Sequence, residues 1–143
     1  MGIDVADAVR ANDDAARYGG GSAAALDTPG LTDQTEACRW DGDPDTGVYN
    51  VTALGDLPGG DFRSTAFATS DDGVVIVGRG QSTLSASSSM DLIDWEAFIW
   101  DPINGIRNLR DVLVNDYSLS AELQNWVLTR ATDVSADGRS VVG

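Results

Sequence analysis

The sequence has no histidine, no lysine and a single cysteine among its 143 residues. Without histidine there is no Ser-His-Asp or Cys-His catalytic arrangement, and no imidazole ligand for zinc, within the chain. One cysteine cannot close an internal disulfide or build a cysteine cluster. Cys38 lies in the alternating run Ala37-Cys38-Arg39-Trp40, where it reads as a small buried hydrophobe rather than a reactive thiol. No run approaches the roughly 18 apolar residues that a membrane span requires. The opening segment, MGIDVADAVRANDDAARYGGG, is acidic and lacks an apolar core, so it does not read as a secretory signal. If the protein is exported, its signal is expected outside this chain.

Positive charge is also scarce. All nine basic residues are arginine, against 23 acidic residues, for a net charge of −14. Such a surface repels phosphate backbones and anionic lipid headgroups, which argues against nucleic-acid and membrane-surface partners. It favours solubility and can attract divalent cations. The hydrophobic share, 42%, is that of an ordinary globular chain.

What the sequence does contain is repetition. TSDDGVVIVG (69–78) matches VSADGRSVVG (134–143) at an offset of 65, with a fainter copy in ANDDAARYGG (11–20), where Ala15 replaces the turn glycine. EACRWD (36–41) matches EAFIWD (96–101) at an offset of 60, and ALGDLPG (53–59) matches NLRDVLV (108–114) at 55. Three motifs recurring in one order define a repeated unit, and the drift in offset places insertions in connecting loops.

Each motif predicts local structure. Ala66–Thr69 reads as a strand, Ser70–Gly73 as a turn whose glycine supplies positive φ, and the β-branched run Val74–Val77 as a buried strand. Gly78 marks a close backbone approach or a strand end. Ala97–Trp100 and Ile106–Leu109 read as two further strands around the Asn104-Gly105 hairpin signal. Residues 81–95 and 22–35 read as loops. In 114–128, Asp116 or Ser118 is a candidate cap for a short helix placing Leu119, Leu123 and Trp126 on one face.

The expected fold is therefore all-β, built of β-propeller-like four-stranded meander repeats, about two and a half blades, with one short connecting helix. The expected units are a degenerate half-repeat and loop (1–34), the third and fourth strands of the first unit (35–60), a complete second unit (61–113), a helical connector (114–128) and the first half of a third unit (129–143). A ring of about four to eight blades cannot close from this much chain, so a truncated or longer protein is expected. Self-association through open strand edges is expected of the isolated chain.

The set STAFATSDDGVVIVG, EAFIWD and LGDLPGG, with NLRDVLVNDYSLSAELQNWVLTRATDVSADGRSVVG after it, resembles the HAF repeats of bacterial extracellular repeat proteins, over most of the chain from Thr35 onward. Those proteins often end in a C-terminal sorting signal of the Pro-Glu-Pro type. The resemblance implies a secreted or cell-surface, propeller-like protein. It implies no reaction and no catalytic residue. This chain departs from the pattern at Ala15 and in lacking closing strands.

Candidate sites are few. Asp41, Asp43 and Asp45, in DGDPDTG, alternate as calcium ligands do. The glycine falls one place late for an EF-hand, however, and Thr52 stands where the twelfth-position glutamate belongs, so an enlarged polar turn is the plainer reading. Asp71-Asp72 and Asp13-Asp14 recur as turn formers rather than acid/base pairs. Trp40 and Trp100 are repeat equivalents suited to packing, which leaves Trp95 as the candidate ligand-facing aromatic. The glycine-rich 54–60 opens no helix and is no phosphate loop.

The expected function is a non-catalytic extracellular or cell-surface module with a structural or binding role, toward an extracellular polymer or a protein, with no required cofactor. Two alternatives are a fragment of a polysaccharide-active hydrolase or lyase whose site lies elsewhere, and a calcium-stabilised surface or biofilm matrix component.

Overall fold

The computed structural model describes residues 18–24, 35–43, 46–83 and 95–143, and these are mainly β. In chain order they form β1 (Tyr18–Ala24), β2 (Thr35–Asp43), β3 (Val48–Gly55), β4 (Gly59–Thr69), β5 (Ile76–Ser82), β6 (Glu96–Asp101) and β7 (Gly105–Asn108). The helix α1 (Leu109–Asn115) follows, then the short strands β8 (Asp133–Val134) and β9 (Val141–Val142).

Strands β4, β5, β6 and β7 pair antiparallel in sequence order, a four-stranded meander. The alternating sequence of β6 gives it two apolar faces. Phe98 and Trp100 point one way; Ala97 and the half-buried Ile99 point the other. On β4 the same division needs a bulge. The register shifts between Ala66 and Ala68, which turns Ala66 toward one core and Ala68 toward the other although both are even-numbered. An inserted residue flips the faces of the residues beyond it.

The first unit repeats this pairing. Trp40 stands opposite Val51 as Trp100 stands opposite Ile106, and Cys38 opposite Ala53 as Phe98 opposite Asn108. Sequence equivalents thus occupy the same register in the β2–β3 and β6–β7 hairpins. The units are not separate sheets, however. β2 carries β1 on one edge and β3 on the other, and Thr35 bridges in parallel to Arg63 of β4. Strands β1 to β7 thereby join into one curled seven-stranded sheet. The junction is cross-braced by Ser64, fully buried, whose hydroxyl accepts from Ala37 N at 2.9 Å and donates to the Gly55 carbonyl at 2.6 Å. A buried hydroxyl is tolerated because both its roles are filled.

Two hydrophobic cores result, and four positions of the first have counterparts in or against the second. The first brings Ala37, Leu54 and Leu57 of the first unit against Ala66, Ile76, Phe98 and Trp100 of the second. The second brings Ala97 and Leu109 of the second unit against Ala131 and Val134, with Val141 packed beside them. Ala37 and Ala97, Leu54 and Leu109, Ala66 and Ala131, and Ile76 and Val141 are sequence equivalents at offsets of 60, 55, 65 and 65. The central meander is therefore filled on both faces, by the preceding unit on one and the following unit on the other.

The Asp-Gly turns repeat in their hydrogen bonds. Ser70 Oγ donates to Asp72 Oδ1 at 2.6 Å and accepts from Val75 N at 2.9 Å, while Val74 N donates to Asp72 Oδ1 at 3.0 Å. Ser135 Oγ donates to Asp137 Oδ1 at 2.6 Å and accepts from Ser140 N at 2.9 Å, while Arg139 N donates to Asp137 Oδ1 at 3.1 Å. Gly73 and Gly138 have φ of 68° and 71°, the left-handed conformation this turn demands. The turns also touch, with Asp71 N donating to the Ala136 carbonyl at 3.1 Å.

Several local expectations are corrected. The run Val74–Val77 is not a strand throughout. The Asp72 carboxylate, accepting from Val74 N, and the Ser70 hydroxyl, accepting from Val75 N, hold these residues in the turn, and β5 runs from Ile76 to Ser82. Gly78 does not end the strand; it marks a close approach, for a Cβ there would collide with the Thr65 carbonyl and lie 2.8 Å from two Phe98 ring carbons. Ser22–Ala24 and Gln81–Ser82, read as loop, belong to β1 and β5.

The helix spans 109–115, not 114–128. Asn108 caps it, its side chain accepting from Arg110 N and Asp111 N, and Leu109 and Val112 are buried on its inner face. Ser118, with φ of 61°, adopts a conformation that a helix cannot continue. The turn expected at 11–15 and most of the loop expected at 81–95 lie outside the described residues.

Candidate functional site

Of the three carboxylates of the acidic turn, only that of Asp41 belongs to the described atoms. Asp41, on β2, accepts from Arg39 Nη2 through its Oδ2 at 2.6 Å. Asp43 ends β2, with its side chain outside the described atoms, and Asp45 lies outside the described residues. Arg39 also donates to the Gly73 carbonyl at 3.2 Å and stacks 5.4 Å from the Trp100 ring centre. The Arg39–Asp41 pair is thus a structural clasp between the first unit and the turn of the second. No group of three His, Cys, Asp or Glu side chains suited to a metal is found among the described residues.

Trp95 is half-buried against Arg79, whose guanidinium lies 4.3 Å from its ring centre and 5.6 Å from that of Phe67. Phe67 is the bulge residue of β4, so the bulge that divides the two cores also delivers an aromatic ring to this stack. A cation between two rings gains electrostatic attraction from both. One face of the Trp95 indole is occupied by the chain's own arginine.

Cys38 is buried, and burial, with the nearby Glu36 carboxylate, raises its thiol pKa. That environment suits packing, not nucleophilic chemistry. Asp56, in the turn before β4, is pushed up to about 6, chiefly by burial, with Glu36 and Asp61 adding repulsion; backbone N–H donation from Arg63 and Leu57 opposes the rise. Its Oδ2 accepts from Arg63 N at 3.0 Å, while Oδ1 is buried without a hydrogen-bond partner among the described residues. The turn carboxylates Asp72 and Asp137 behave oppositely. Donation by the Ser70 and Ser135 hydroxyls, and then by backbone N–H groups, lowers both. Asp101 is also lowered: desolvation pulls it up, but Asn104, the Ile103 and Asn104 backbones and Arg107 outweigh it.

A concavity among the described residues lies elsewhere, at the end of β5 and β6 beside α1. It is an open groove of about 800 Å³, walled by Glu96 of β6, by Asn108 and Asp111 at the start of α1, and by Gln124, Asn125 and Trp126 of the following connector. Glu96 is 6% exposed, and the Ser82 hydroxyl donates to its Oε2. Trp126 is 64% exposed. Its backbone is fixed from α1: Arg110 Nε donates to the Trp126 carbonyl at 3.2 Å and Arg110 Nη2 to the Leu123 carbonyl at 3.3 Å.

Sequence reasoning passed over this groove. It placed Trp126 on the apolar face of a helix that does not form there, and it singled out Trp95 instead. The available signal was the lengthened connector, whose extra residues carry Gln124, Asn125 and Trp126.

No helix among the described residues is long and apolar enough to cross a membrane. No family model, curated protein or solved structure matches this chain.

Proposed function

We propose that the chain is a non-catalytic repeat module of propeller type, with a structural or binding role at the cell surface or outside the cell. The observation that carries this reading is the duplicated core: the contact set Ala37, Leu54, Ala66 and Ile76 is rebuilt one unit later by Ala97, Leu109, Ala131 and Val141. A unit that packs on its successor as its predecessor packs on it is the working principle of repeat architectures, propeller blades included. The resemblance to HAF repeats supports the extracellular setting.

A scaffold role fits the charged side chains. Arg39, Asp41 and Asp101 are spent on clasps and turns, with Arg107 donating to Asp101 at 2.9 Å. Of the groove carboxylates, Asp111 sits in the first turn of α1, where a negative charge suits the helix end.

The test is turnover. The purified chain, incubated at length with a panel of soluble polysaccharides, is expected to release no reducing ends. Release that disappears in Glu96→Gln would overturn the non-catalytic reading.

A further inference from the structure

The repeat breaks at one link. The offset is 55 between Leu54 and Leu109 but 65 between Ala66 and Ala131, so the passage from the second unit to the third holds ten residues that the passage from the first to the second lacks. The extra chain adds little to the core. Tyr117 and Trp126 are largely exposed, and Gln124, Asn125 and Trp126 line the groove. In a scaffold that otherwise copies itself, a segment that is added, pinned by Arg110 and turned toward a cleft is where recognition belongs.

The lining chemistry narrows the ligand. Trp126 offers a flat apolar surface with its backbone already fixed, so little ordering remains to be done on binding. Around it stand the amides of Gln124 and Asn125 and the carboxylates of Asp111 and Glu96, which donate and accept hydrogen bonds at short range. Arg110 also lines the groove, but its guanidinium is committed to two backbone carbonyls. With two carboxylates in the wall against that one cation and a net charge of −14, an anionic ligand is disfavoured. A partner rich in hydroxyls, uncharged and carrying an apolar C–H face satisfies every element. The cleft volume lies within the usual range for small-ligand sites, roughly 300–1,000 Å³.

Building on the binding role proposed above, the geometry points to a site for a neutral polysaccharide chain, with Trp126 as the stacking face and Gln124, Asn125, Asp111 and Glu96 as hydrogen-bonding partners. The site is distinct from Trp95, whose ring holds Arg79.

Native gel electrophoresis of the whole chain tests this, in gels containing hydroxyethylcellulose, mixed-linkage β-glucan, xylan, galactomannan or dextran, with polygalacturonate as the anionic comparison. At least one neutral polymer is expected to retard the protein. Trp126→Ala is expected to weaken that retardation by roughly tenfold or more, as truncation of a buried aromatic anchor does. Its urea midpoint should be unchanged, because the ring packs little in the free protein. The double variant Gln124→Ala/Asn125→Ala is expected to weaken binding while also melting like the parent. Retardation by none of the neutral polymers, retardation by polygalacturonate alone, or parental binding by both variants would each overturn the site. Any of these leaves the non-catalytic reading standing. Hydrolysis of a retarded polymer strikes that reading instead, while the binding itself upholds the site.

Discussion

Gly78→Ala probes the tightest point of the fold. The new Cβ would meet the Thr65 carbonyl and sit 2.8 Å from Cε1 and Cζ of Phe98, where carbon atoms normally rest about 3.5–4.0 Å apart. The ring cannot simply withdraw, because Phe98 is fully buried in the first core. The β4 carbonyl cannot withdraw without stretching the β4–β5 ladder beside the Ala66/Ala68 bulge. Overpacking of a tight core costs about 1–3 kcal/mol, and a weakened ladder bond or two adds about 1 kcal/mol each. Gly78→Ala should therefore lower unfolding free energy by about 3 kcal/mol or more, a large share of the roughly 5–15 kcal/mol typical of a domain. Gly80→Ala, two residues along the same strand, is the control. Its Cβ would lie 3.1 Å from Asp56 Oδ1 and 3.3 Å from Leu57 Cγ, contacts that side-chain shifts can relieve, so a loss of about 1 kcal/mol is expected. Urea denaturation followed by circular dichroism measures both. A Gly78→Ala protein within about 0.5 kcal/mol of the parent, against the cost expected of overpacking, would refute the packing argument at this position.

Three further outcomes follow from groups already described. Because the fold raises Asp56 from 3.8 to about 6, its neutral form is the favoured one; the stability it contributes is present below pH 4 and lost as pH rises through about 6. Asp56→Asn should match the parent at pH 4 and exceed it at pH 7.5 by about 1 kcal/mol, a figure reduced for the group's partial exposure, as read from urea midpoints at the two pH values. Ser70→Ala strips the Val75 N–H of its side-chain acceptor at a buried site and should cost about 1–3 kcal/mol; the equivalent Ser135→Ala, reached by solvent, should cost less in the same denaturation assay. Asn108→Ala removes the cap of α1 and should cost about 1 kcal/mol, with faster amide exchange at Arg110 and Asp111.

Much of this architecture is written in short motifs. EAFIWD alternates over a two-residue period, and its two faces are the two cores. DDG and ADG predict the same turn, and both turns form with matching hydrogen bonds. Other features depend on competition that residue patterns do not rank. Val74 and Val75 have strong β preference, yet the Ser70 and Asp72 side chains capture their amides first. NLRDVLV satisfies both a strand ending and a capped helix, since Asn108 precedes Leu109 and Val112 at helical spacing; the helix buries Val112 and brings Leu109 into the second core with Leu113 packed beside it. The groove was hidden for a related reason. Leu119, Leu123 and Trp126 follow a helical rhythm, but Ser118 takes a left-handed backbone conformation and the segment folds into turns, leaving the indole outside.

The bond from Asp71 N to the Ala136 carbonyl joins successive turns through the main chain alone. Among substitutions only proline at position 71, which has no N–H, would abolish it directly, so the two turns can differ in composition while the joint between them persists. Duplication or loss of a whole copy then regenerates a compatible seam without new compensating changes. Such a chain can vary in length across generations more readily than in the shape of any one link.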